Sequence, residues 1–192
     1  MDDLVKAYAM AGAALAAGDA SDAMPYLEWA KGVAGRSSSV REALGIARYQ
    51  LGDFAAAAAE LATYRRLSGR QDQNHLLADC ARATGHPERV AEYIEAMTAA
   101  SGVPRDRLVE GYLVLAGAAG DRGDWEAAFA ALALADLSPV KVEVWHRRVW
   151  YAAADLAERA GDPSRAREYL EAVLAVDPDF LDAAERLENR KP

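Results

Sequence analysis

Five glycines, each followed at once by Asp or His, punctuate this 192-residue chain: Gly18-Asp19, Gly52-Asp53, Gly85-His86, Gly123-Asp124 and Gly161-Asp162. They stand 34, 33, 38 and 38 residues apart, and apolar residues recur at helical spacing on both sides of each. Glycine accepts the left-handed backbone in which many helices end, and an Asp just after it can accept a backbone N–H from the next helix. Each dipeptide is therefore a helix stop and a helix start. A period of this length, with a turn at its midpoint, constrains the chain to stacked helix pairs, because a lone pair cannot bury its own apolar face. The expected fold class is all-α, a right-handed alpha-alpha superhelix of about five helix pairs with essentially no strand.

With those turns as anchors, the first helices of the pairs are expected over 3–17, 38–51, 74–84, 105–122 and 142–160, and the second helices over 22–33, 54–67, 87–99, 125–133 and 163–176. Pro87 and Pro163 sit at first helical positions, where a missing N–H costs nothing. Pro25 requires its helix to begin near residue 21 or 22, so that the ring stays in the first turn. The four extra residues of the last two intervals fall around 101–104 and 137–140. A final segment over 179–190, with Phe180, Ala184 and Leu187 on one edge, is expected to form a helix that caps the apolar end of the stack.

Ala and Leu dominate the apolar content, with only three Phe, which favours close-packed helices. A formal charge of -8 argues against a phosphate backbone or an anionic membrane as partner, since both draw affinity from Lys and Arg. The longest apolar stretches are too short to cross a bilayer. One cysteine, Cys80, has no intrachain partner, and nothing at the N-terminus has the pattern of a cleavable leader, so a cytoplasmic setting is expected. No HExxH, paired CxxC, glycine-rich phosphate loop or GxSxG is present, and neither enzymatic activity nor a cofactor is expected.

The repeat resembles the tetratricopeptide (TPR) family. Trp150, Ala154, Gly161-Asp162, Ala166, Tyr169-Leu170 and Asp177-Pro178 fall at the family's spacing, as do Leu44-Gly45, Tyr49, Gly52-Asp53-Phe54, Ala57 and Leu61, and Tyr112, Leu115, Gly123-Asp124-Trp125, Ala128 and Ala135. The third repeat departs from the pattern at His86 and Val90. The segments 40–45 and 78–85 are similar to a group of small actinobacterial TPR proteins without an assigned activity. The resemblance implies a single solenoid domain over 1–192, with repeats near 4–37, 38–70, 71–104, 109–142 and 147–180. Small residues at Gly45, Ala57, Ala128 and Ala166 would let paired helices cross closely.

In such proteins the concave face is lined by the first helix of each pair. Carried onto this sequence, the inward positions are Tyr8; Glu42, Tyr49 and Gln50; His75, Asp79 and Arg82; Glu110, Leu113 and Asp121; and Arg148, Tyr151, Asp155, Glu158 and Arg159. Tyr and Arg anchor interfaces at low entropic cost, so this stripe is expected to hold a peptide or helix of a partner protein. The Lys and Asn set that clamps chaperone carboxylate tails is missing, its places being taken by Tyr8, Gly12 and Ala43. Two alternatives stand beside the adaptor: a homo-oligomer, monomer or weak homodimer in solution, that uses the groove or the terminal helix, and a small-molecule or metal site at His75 and Asp79, which lie four apart on one helix. Trp145 beside Val142 and Val144 is a further place where self-association could start or a gap be filled.

Overall fold

The computed structural model describes residues 2–189, and among them there is no strand. The chain divides into two compact units, residues 1–103 and 104–192. The first holds α1 (Asp2–Ala16), α2 (Ala20–Ala34), α3 (Ser38–Gln50), α4 (Phe54–Ser68), α5 (Asn74–Ala83), a single 3-10 turn (Pro87–Arg89) and α6 (Val90–Ala99). The second holds α7 (Arg105–Asp121), α8 (Trp125–Ala133), α9 (His146–Arg159), α10 (Pro163–Val176) and the short α11 (Ala183–Glu188). Within each unit every helix packs on the next one in sequence, and first helices also touch: α1 with α3, α3 with α5, α7 with α9. This is the solenoid packing of repeated helix pairs.

The Gly-Asp pairs work as their chemistry dictates. All five turn glycines are left-handed, with φ between 73° and 83°. At the second turn the N–H of Asp53 returns to Arg48 C=O (2.9 Å) and that of Gly52 to Tyr49 C=O (3.0 Å), which closes the end of α3. Asp53 then accepts the N–H of Ala56 at 3.2 Å and opens α4. Asp19, Asp124 and Asp162 cap in the same way, accepting from Asp22, Ala127 and Arg165. His86 makes no side-chain cap, and there the chain enters through the 3-10 turn before α6 begins at Val90.

Three expectations are corrected. Asp19 starts α2 at Ala20, so Pro25 lies inside the helix rather than in its first turn. The α9 helix begins at His146, not 142, because residues 140–145 alternate β-branched valines with charges and do not coil into a helix. The capping helix, expected over 179–190, spans Ala183–Glu188; Leu181 at φ 47° turns the chain first, and position 190 lies outside the described residues.

Alanines carry the packing. In the first unit Ala11, Ala23, Leu27, Ala30, Leu44 and Ala47 are fully buried together, and in the second Trp150, Ala154, Leu170, Val173 and Ala183 form the core beneath α11. Ala57, Ala128 and Ala166 have no exposed surface. At Gly45 the crossing is tightest: a Cβ there would stand 2.6 Å from Leu61 Cγ. Glycine inside a helix costs roughly 0.5–1 kcal/mol. Full burial of Leu61, a gain of about 1.5–3 kcal/mol, offsets that cost.

Candidate functional site

The side chains expected along the first helices are brought onto neighbouring positions, and most of them bind one another. Tyr8 donates to Ser39 C=O at 3.3 Å, Gln73 donates to Glu42 at 2.7 Å, and Tyr49 donates to Asp79 Oδ2 at 2.6 Å, each link spanning 30 or 31 residues. Arg82 pairs with Asp79 Oδ1 at 2.8 Å. In the second unit Arg148 meets Glu110 (2.8 Å), Tyr151 donates to Asp182, Arg186 reaches Glu158 (2.8 Å) and Asp155 (3.8 Å), and Arg159 donates to Gly120 C=O (2.9 Å) and pairs with Asp121 (3.2 Å). Within the first unit these residues tie α1 to α3 and α3 to α5, and within the second α7 to α9 and α9 to α11. Gln50 is exposed.

The environment shifts several of these groups. Burial, helped by the hydrogen bond to Asp79, raises the Tyr49 phenol well above its ordinary value. Burial and then the bond to Asp182 raise the Tyr151 phenol too, with Arg186 opposing. Burial pushes the Glu110 carboxyl up, against the pull of Arg148 and Arg107. Cys80 is buried, and that burial, followed by the charge of Asp79, pushes its thiol up to about 12. It sits in the core as a small apolar side chain.

His75 is buried with Nδ1 3.1 Å from Asp72 C=O, while Asp79 is taken up by Tyr49 and Arg82. Among the described residues no group of three or more His, Cys, Asp or Glu is placed to hold a metal ion.

One recess collects side chains of three successive first-helix positions. In the second unit Leu113 of α7, Arg148, Tyr151 and Ala152 of α9, and Phe180 and Leu181 ahead of α11 line an open hollow of about 450 Å³. Phe180 meets Tyr151 edge to face at 5.6 Å, and Leu181 is 71% exposed. Arg148 stands at the rim with its side chain 56% exposed. Asp182, in the N-cap position of α11, makes no cap bond; its carboxylate holds the Tyr151 hydroxyl instead. A smaller hollow of about 390 Å³ in the first unit is lined by Leu4, Val5, Tyr8, Ala9, Ser37, Ser39 and Val40. Phe180 and Leu181 were expected to belong to the cap. Only the 31-residue step from Tyr151 to Asp182 signals in the sequence that this segment faces the first helices.

The tetratricopeptide repeat family model matches residues 147–187, which take in α9, α10 and most of α11. No curated protein matches the chain in sequence. Among solved structures the chain is similar to YrrB, a TPR protein with an unusual peptide-binding site, with TM-score 0.57 and 13% identity over 93% of this chain and 88% of that one. It is also similar to a TPR repeats protein, BF2334 from Bacteroides fragilis NCTC 9343, with TM-score 0.45 and 13% identity over 98% of each chain. At 13% identity the likeness to YrrB is one of fold.

Proposed function

We propose that this chain, a protein of the tetratricopeptide-repeat fold, is a non-catalytic adaptor that holds a peptide or helix of a partner protein against its first helices. The observation that carries the reading is the recess of the second unit, where Leu113, Tyr151, Phe180 and Leu181 form an apolar floor and Arg148 a charged rim. An apolar centre with a polar rim, anchored by Tyr and Arg, is how protein partners are gripped. The bond from Tyr151 to Asp182 holds that wall in advance, which reduces the ordering cost of binding. The peptide-binding site of YrrB, a protein of like fold, accords with this use. Tyr8, beside the smaller hollow, is the corresponding anchor of the first unit. The net charge of -8 argues against nucleic acid, and a lone unpaired thiol is ordinary in the cytoplasm, where we place the protein.

The test is affinity capture from the native cell, followed by titration of the purified prey against variants. Leu113→Asp with Leu181→Asp should abolish binding at unchanged helicity, whereas Tyr49→Phe with Arg82→Ala should leave most of it. Binding kept by the first variant and lost in the second would move the site to the first unit.

A further inference from the structure

In the first unit two guanidiniums stand over a single phenol ring. Arg65, in the last turn of α4, and Arg89, at the end of the 3-10 turn, lie 5.3 and 4.9 Å from the ring centre of Tyr93 on α6. Tyr93 is buried, so the ring is a fixed platform that holds both charges in place. Arg66, the next residue of α4, is exposed beside Arg65.

Cations gathered in this way repel one another unless anions sit among them. Elsewhere in the unit anions do: Arg41 holds Glu60, Arg48 holds Glu28 and Arg70 holds Asp72. Arg65, Arg66 and Arg89 form no ion pair with any described residue. Glu88, next to Arg89, faces His86 at 3.5 Å instead, and Glu92, one turn further on, pairs with none of the three.

Arg65 also lines a hollow of about 580 Å³, together with Ala62, Thr63, Arg66 and Gln71. That lining carries no carboxylate. Gln71 gives its side-chain carbonyl to Asn74 Nδ2 at 2.9 Å, which leaves its amide N–H groups without an acceptor among the described residues. Donors that lack acceptors, two of them charged, are the complement of an anion.

The placing of the donors selects the kind of anion. Consecutive residues leave an α-helix about 100° apart, so Arg65 and Arg66 set out in different directions. Arg65 is further committed to the ring it shares with Arg89. Separate carboxylates carried along one chain match such donors better than a single phosphate, which needs its donors gathered around one centre. The net charge of -8 disfavours an acidic partner over the rest of the surface, so a local cluster of bare cations also fixes where it would bind.

We propose that Arg65, Arg66 and Arg89, with the hollow beside them, bind an acidic segment of a partner protein through its side-chain carboxylates. The site is built on α4, the 3-10 turn and α6, not on first helices. It shares no residue with the recess of the second unit and stands or falls apart from it.

Fluorescence anisotropy at low salt, with a labelled octapeptide of glutamate and the full chain, tests the site. Binding should saturate and be about tenfold or more tighter than that of a glutamine octapeptide. Arg65→Gln with Arg66→Gln should weaken it about tenfold. Arg66→Gln alone, which leaves the Tyr93 ring untouched, should weaken it about threefold at unchanged melting temperature. Arg36→Gln with Arg167→Gln takes the same charge from exposed positions elsewhere and should leave affinity within about twofold. Equal affinity for the two peptides, or equal losses in the two double variants, would overturn the proposal. So would a phosphoserine octapeptide that binds more than about tenfold more tightly than the glutamate one, because the occupant would then be a phosphate.

Discussion

Residues 69–73 and residues 134–145 both carry the chain from a second helix to the next first helix, and they are held in opposite ways. The shorter connection leaves α4 at a left-handed Gly69 and is sealed by polar side chains. Tyr64 donates to the buried Asp72 at 2.8 Å, Arg70 pairs with the same carboxylate, Gln73 reaches Glu42, and Asn74 donates to Gln71 (2.9 Å) and Tyr93 C=O (3.0 Å). The longer connection is fastened at the buried Ala135 and by the Trp150 indole donating to Leu137 C=O at 2.9 Å, and beyond that it turns valines outward. A connection whose polar side chains bond back into the neighbouring helices is a part of the fold, even with Gln73 Oε1 and Asn74 Oδ1 buried without a partner. One that turns Val140 and Val144 toward solvent is held at fewer points.

The sharpest way to break this comparison is to cut the seal of the shorter connection. Asp72→Ala strips the buried Tyr64 hydroxyl of its acceptor and Arg70 of its counter-charge. It should cost about 2–3 kcal/mol, the penalty of orphaned buried polar groups. A lower urea midpoint at unchanged slope would show this, and a loss under about 0.5 kcal/mol would mean the network is decoration.

Tyr64→Phe is a milder cut and adds a pH dependence. Burial first, and then the bond to Asp72, raise the Tyr64 phenol above its ordinary value of 10.0. A raised value in the folded chain means that this contribution is complete below pH 10 and is lost as pH climbs toward the folded value, because the unfolded phenol ionises first. The variant should lose about 1.5 kcal/mol at neutral pH. Above pH 10 its deficit against wild type should shrink. Parallel curves would show that the folded phenol titrates as freely as the unfolded one.

What the sequence discloses follows the range of the forces involved. The Gly-Asp turns are legible because stop and start chemistry is local: Asp53 caps three residues ahead, and replacing Asp by His at 86 removes the cap and leaves a 3-10 entry. The close crossing at Gly45 is legible from size alone. The hydrogen-bond partners of Tyr49 and Tyr151 are not, since they lie 30 and 31 residues on and depend on how repeats stack. Nor is the recess, because its wall needs Leu181 in a left-handed conformation that no glycine advertises. The expected start of α9 at 142 takes the valines as helix, whereas three β-branched residues in five resist coiling and the helix begins at His146.

On the longer connection Trp150→Phe should remove the one donor that holds Leu137 C=O. A loss of about 1 kcal/mol is expected, since the ring position stays filled while a carbonyl is left bare. An effect as large as that of Asp72→Ala would make the two connections equally sealed and dissolve the contrast between them.

The smallest expected effect is the most telling. Val140→Ser should change the stability of the chain by less than about 0.5 kcal/mol, because a side chain already in water has little burial to lose. A chain destabilised by more than about 1 kcal/mol would instead mean that Val140 packs against its own chain in solution, and the longer connection would then be held as closely as the shorter one.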